Sequence, residues 1–243
     1  MKIWVRSYIY SMIIVFSIIL AWACNKESKQ VSVNPMPSAN CVNKPLQTYL
    51  ALGDSYTIGQ NVGVSERFPY HTASILSTKG FCIKDPQYIA TTGWTTSNLL
   101  SAIGSQNPQG PFDIVSLLIG VNDQYQRMDT AGYRTRFTQL LNKAVELAGN
   151  RPARVFVLSI PDYSATPFVS AQDKQRVRTE IDQFNVINKQ VTLQNDIAYI
   201  DITALSREAA NDSSLLADDG LHYSGKEHKK WAELLAAVIE KEL

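Results

Sequence analysis

Short apolar runs alternate with longer amphipathic ones along most of this chain. Residues 48–52 (Thr48-Tyr49-Leu50-Ala51-Leu52) predict a buried strand ending at Gly53. Residues 68–78 predict a helix closed by Gly80, a residue suited to the left-handed position after a helix. Residues 88–90 predict a short strand ending at Gly93, with Thr95 or Thr96 able to cap the helix that follows. Residues 113–119 predict another buried strand, ended by Gly120, then a helix over 130–147 and a strand over 154–160 stopped by Pro161. Val177, Ile181, Phe184, Ile187 and Val191 recur three or four apart, so residues 173–194 predict a helix with one buried face. A last short strand is expected over 197–200, and Trp231, Leu234, Leu235, Val238 and Ile239 form the stripe of a final helix. Five strands alternating with helices predict an α/β domain with a parallel sheet covered on both faces.

The 243 residues are enough for one such domain with a full core. A formal net charge of +1 without a basic block gives no electrostatic basis for binding nucleic acid. The N-terminus departs from the rest. Lys2 and Arg6 precede a mostly apolar stretch that ends in Ala21-Trp22-Ala23-Cys24, the pattern of an export signal. A cysteine directly after the small residue resembles a bacterial lipoprotein signal, with residues 1–23 removed and Cys24 lipidated. Ala21 stands where such signals usually carry leucine, and an ordinary cleaved signal or an uncleaved anchor would share the pattern. Residues 24–44 are largely polar and read as a tether, leaving 45–243 as the domain. Lys26-Glu27 is similar to the charged surface-export signal of some Bacteroidetes lipoproteins. The expected location is therefore outside the cytoplasm, on the periplasmic or surface face, with the membrane as a partner through Cys24. Cys41 and Cys82 remain, and in an oxidising compartment they either pair or stay as two separate thiols.

Parallel sheets gather ligands at the carboxyl ends of their strands. Gly53-Asp54-Ser55 follows the first predicted strand, Gly93 the second and Gly120-Val121-Asn122-Asp123 the third. A serine hydroxyl becomes a nucleophile when an imidazole takes its proton, and acyl transfer needs donors for the oxyanion that forms. Ser55 supplies the hydroxyl, Gly93 an unobstructed N–H and Asn122 a side-chain amide. Of the three histidines, His71 falls within a predicted helix and His228 among Lys226, Glu227, Lys229 and Lys230 on what reads as a solvated surface. His222 lies in a polar turn, with Asp219 three residues ahead and able to orient its ring. Asp54 and Asp123 are expected to order their loops.

In this order on this strand pattern, the residues resemble the SGNH hydrolases, a branch of the GDSL esterases and lipases. Gly53-Asp54-Ser55-Tyr56 matches their first block, Gly93 the second, Gly120-Val121-Asn122-Asp123 the third and Asp219-Gly220-Leu221-His222 the fifth. The resemblance implies a flavodoxin-like three-layer α/β/α sandwich with a five-stranded parallel sheet. It also implies a triad of Ser55, His222 and Asp219 without cofactor or metal, and an oxyanion hole from Ser55 N–H, Gly93 N–H and the Asn122 amide. Gly80 and Gly104 are the nearest glycines that could take the place assigned to Gly93.

Two other readings compete. Asp218, Asp219, His222, Glu227 and His228 could serve a metal hydrolase, although their spacing matches no common ligand set. A surface lipoprotein could instead use the same cleft to bind a glycan or lipid without turnover. On the hydrolase reading the substrate is a small-molecule or glycan ester, with short acyl groups accepted best. Phe68, Tyr70, Trp94, Tyr125 and Tyr163 could wall its site or cap the rim of the core.

Overall fold

The five strands are β1 (Tyr49–Gly53), β2 (Gln87–Ala90), β3 (Ile114–Leu118), β4 (Val155–Leu158) and β5 (Ala198–Ile200), all parallel in the order β2-β1-β3-β4-β5. The computed structural model describes Cys41 and residues 43–243. The expected export signal, Cys24 and most of the expected tether lie outside the described residues. β1, β3 and β4 are buried along their whole length, so an unbroken apolar run suits them better than alternation.

Among the described residues eight α-helices complete the domain: α1 (Ser55–Ile58), α2 (Phe68–Thr78), α3 (Thr96–Gln106), α4 (Val121–Tyr125), α5 (Thr130–Leu147), α6 (Lys174–Leu193), α7 (Thr203–Ser206) and α8 (Gly225–Ile239). α2 packs on α8, which in turn covers β4 and β5, while α3, α5 and α6 form a second layer in which α3 meets α5 and α5 meets α6. Among the described residues no helix is long and apolar enough to cross a membrane.

The chain runs from β1 outward to β2, then crosses back to β3 on the other side of β1. Such a reversal opens a crevice between the two loops that leave in opposite directions. Register puts Gly53 beside Leu118, so the loops carrying Ser55 and Asn122 leave the sheet side by side. Thr95 is the cap of α3, its hydroxyl accepting from the Asn98 N–H. Gly80 takes a φ of +92° after α2.

Two details differ from the sequence pattern, and the open question of the cysteines is settled in favour of pairing. His228 is buried, 1% exposed, rather than on a solvated surface. It stands three residues before Trp231 and seven before Leu235, so it shares the buried stripe of α8, and the flanking Lys226 and Lys229 take the exposed side. Leu234, expected in that stripe, is 40% exposed because it falls between the positions the helix turns inward. Cys41 and Cys82 form a disulfide, so the chain is already held to the fold at Cys41, and the Gln47 N–H donates to the Cys82 carbonyl.

Candidate active site

The site begins with the turn after β1. Asp54 caps α1: its carboxylate accepts from the Tyr56 N–H at 3.0 Å, and its carbonyl accepts from the Thr57 and Ile58 N–H groups. The first-turn amide left without an acceptor inside α1 is that of Ser55. Asp54 is fully buried. Burial pushes its carboxyl up to about 8 against the opposing Tyr56 N–H, and the Asp123 charge adds to the rise.

That shift has a consequence for stability. The folded state keeps a proton on Asp54 that the unfolded chain, with an ordinary value near ~3.9, releases. The contribution is full below that value and lost as pH rises through about 8. Burial, with His71, His222 and Arg67 nearby, lowers His228 to about 3. It acts in the opposite sense, but only below its unfolded value near ~6.5. Thermal melting of the parent should therefore fall between about pH 6.5 and 8.5. Asp54→Asn keeps the oxygen that caps α1 but does not titrate, and should lose most of that fall. An equally steep fall in the variant would show that Asp54 is not its source.

Two further loops converge on Ser55. Gly93 follows β2 at a φ of +84°, where an added Cβ would meet nothing within 4 Å. The requirement is therefore conformational rather than steric. Gly120 follows β3 at a φ of +129°, and a Cβ there would lie 2.3 Å from the Tyr133 hydroxyl. Two residues later, Asn122 Nδ2 donates to the Trp94 carbonyl at 2.9 Å, which fixes the orientation of the amide and leaves its second N–H available. Buried Asp123 accepts from Thr96 N–H at 2.8 Å, from Thr96 Oγ1 at 2.5 Å and from Arg136 Nη2 at 3.2 Å. Asn122 and Asp123 together clamp the loop after β3 to the loop after β2, so Gly93 and Asn122 are held as one unit.

His222 lies opposite, 8% exposed, in the turn before α8. Its Nδ1 is 2.6 Å from Asp219 Oδ2, while Asp219 Oδ1 accepts from the Leu221 and His222 N–H groups at 3.0 and 2.9 Å. Partial burial raises the Asp219 carboxyl, but hydrogen bonds from the His222 ring and N–H and from the Leu221 N–H outweigh it and hold the group at about 2. An ionised carboxylate has no proton to give, so the hydrogen of this contact is carried by Nδ1.

Ser55, Gly93, Asn122 and His222 line one open cavity of about 190 Å³, with Tyr56, Thr92, Val121, Tyr125, Tyr163, Phe168 and Leu221 as the rest of its wall. No hydrogen bond joins Ser55 Oγ to His222 in this geometry. A hydroxyl, an imidazole oriented by a carboxylate and amide donors on one cavity can together carry out acyl transfer. Gly80 and Gly104 are not part of it. Nor are Glu227 and His228: Glu227 accepts from Trp231 Nε1 and Lys230, and His228 Nδ1 accepts from the Phe68 N–H. Among the described residues no group of three or more histidine, cysteine or carboxylate side chains could hold a metal ion.

The aromatic residues divide. Tyr125 and Tyr163 wall the cavity, Phe68 is buried against His228 and Trp231, Tyr70 packs on the core, and Trp94 contributes its carbonyl. Phe168, which the sequence pattern did not single out, lines the cavity after Pro167 in the loop that follows β4. Its one signal was that position at the carboxyl end of a strand.

The family model for GDSL-like lipases and acylhydrolases matches residues 51–230, from β1 into α8. The chain belongs to that family. Ester hydrolysis is the general activity of this GDSL-family protein. No relative among curated proteins matches it. Solved structures with the same fold include TesA, at 18% identity over 81% of this chain and 100% of that one, with a TM-score of 0.65. The psychrotrophic esterase EstA from Pseudoalteromonas sp., in a structure inhibited by monoethylphosphonate, is 17% identical over 80% and 97% of the two chains, with a TM-score of 0.61. The acetyl xylan esterase AlAXEase is 18% identical over 78% and 98%, with a TM-score of 0.60.

Proposed function

We propose that this GDSL-family hydrolase cleaves carboxylic esters of short acyl groups, O-acetyl groups on carbohydrate among them, through an acyl-enzyme on Ser55. The observation that carries the reading is the single cavity on which Ser55, Gly93, Asn122 and the Asp219-oriented His222 all open. His222 Nε2 takes the hydroxyl proton as Ser55 Oγ bonds to the ester carbonyl carbon, a contact that tightens when substrate is in place. The carbonyl oxygen gains the negative charge and is met by the N–H groups of Ser55 and Gly93 and the second N–H of Asn122. Collapse expels the alcohol, which receives the proton from His222. Water, deprotonated by the same ring, then releases the acid and restores Ser55.

The wall of the cavity supports this substrate class. Engineered cavities of about 150 Å³ take up benzene, so the open cavity of about 190 Å³ has room for a ring-sized group beside the nucleophile. Tyr163 is fixed by a hydrogen bond from its hydroxyl to Gln124 Oε1, whereas Tyr125 and Phe168 are 57% and 51% exposed and pack on each other at 6.4 Å. Open aromatic faces at the mouth suit the C–H face of a sugar ring. The fold-related AlAXEase is named an acetyl xylan esterase, which favours the same substrate class. The reading includes export and anchoring through a lipid on Cys24, so that the ester is met outside the cytoplasm.

A series of p-nitrophenyl esters of increasing acyl length, hydrolysed by the full chain, tests the substrate assignment. kcat/KM is expected to be highest for the shortest acyl groups. A rate that climbs with chain length at equal monomeric concentration would reject it. A folded protein that binds acetylated oligosaccharide without releasing acetate would point to the non-hydrolytic reading instead.

A further inference from the structure

Asp219 is an exposed member of its cluster: its side chain is 30% accessible, in the short turn before α8. A second element reaches it. Asn61 Nδ2 donates to Asp219 Oδ2, the same oxygen that meets His222 Nδ1. Asn61 lies six residues after Ser55, past the end of α1, at a φ of +65°. Asparagine is among the few residues other than glycine that tolerate this left-handed backbone.

The contact belongs to a longer arc. Asn61 Oδ1 accepts from Gln60 Nε2 at 3.2 Å, and Gln60 Oε1 accepts from Thr92 Oγ1 at 2.6 Å. Thr92 immediately precedes Gly93 and lines the cavity with it. Hydrogen bonds thus run from the loop before Gly93, through Gln60 and Asn61, to the carboxylate that orients His222. With Asn61 in place all four contacts of Asp219 are occupied: two backbone N–H groups on Oδ1, and the imidazole and the Asn61 amide on Oδ2. Without it, Oδ2 would be free to turn toward water and take the His222 ring with it.

We propose that Asn61 is a positioning residue for ester hydrolysis, holding Asp219 in the rotamer that orients His222. The role rests on the Ser55–His222–Asp219 reading given above. Asn61 touches no reacting atom and acts only through Asp219.

The test is a double-mutant cycle in the full chain with p-nitrophenyl acetate. Asn61→Gly keeps the left-handed backbone and removes the amide, and kcat should fall about tenfold with KM nearly unchanged. Asn61→Asp keeps shape and backbone but sets a carboxylate against Asp219, and should lose at least as much. In an Asp219→Ala background the same Asn61→Gly change should cost less than about twofold, because the group it acts through is gone. A purely structural role would cost the same in both backgrounds. Parental kcat in both Asn61 variants, or equal losses in the two backgrounds, would overturn the proposal while leaving the triad intact. Parental turnover in Asp219→Ala alone would instead show that the triad reading had failed.

Discussion

Replacing Ser55 by alanine is expected to lower kcat for a short p-nitrophenyl ester by about 10⁶-fold, with His222→Ala close behind. The size follows from the division of labour. On the proposed mechanism Ser55 Oγ is the atom that forms the covalent bond, and without it the remaining donors can only assist direct attack by water. In serine hydrolases that residual assistance is about 10³–10⁴ over the uncatalysed rate. His222→Ala should reach a similar floor, because an unassisted hydroxyl is a poor nucleophile. The double variant should lose little more than either single one. Losses that instead multiplied would mean the two side chains act independently. Neither change threatens the fold through a lost hydrogen bond of Ser55 Oγ, since the turn is held by the cap from Asp54.

Asp219→Asn is expected to cost about 10⁴-fold in kcat. An asparagine Oδ1 in the place of Asp219 Oδ1 still accepts from the Leu221 and His222 N–H groups, so the turn keeps its shape. The other terminus becomes an NH₂ facing His222 Nδ1. It can only donate there, which forces the ring proton onto Nε2, the nitrogen that accepts from Ser55 on the proposed mechanism. The same NH₂ opposes the Asn61 amide, another donor. Steady-state kinetics with a folding check by thermal melting decides the matter. A loss below about tenfold would show that Asp219 does not set the tautomer.

The sheet was legible because β1, β3 and β4 are buried along their whole length, so that the apolar runs ending in Gly53 and Gly120 needed no periodicity to be read. The same feature made the cavity legible. Ser55, Gly93 and Asn122 each follow a strand, and strand order brings the first and third of those loops together. His222 stood out because the other two histidines fall inside helices.

What stayed hidden depends on facing and on partners distant in the chain. His228 has charged neighbours in sequence, and only the phase of α8 against Trp231 shows that it turns inward. Leu234 lies off the buried stripe for the same reason of phase. Asn61 looks like an ordinary loop residue, and its partner lies 158 positions away. Phe168 belongs to a loop whose path across the cavity depends on buried Asp162, which accepts from Arg207 Nε at 2.7 Å and from the Ser164 N–H at 2.9 Å. No local pattern encodes those contacts.

The measurement that tests the central claim most directly is mass spectrometry of the full chain after treatment with a p-nitrophenyl phosphonate ester. A serine nucleophile attacks such a reagent and keeps the phosphonyl group. A single adduct is predicted, on the peptide containing Ser55, appearing in step with the loss of esterase activity and absent from Ser55→Ala. Esterase activity that persisted with Ser55 fully modified, or in purified Ser55→Ala, would contradict the account.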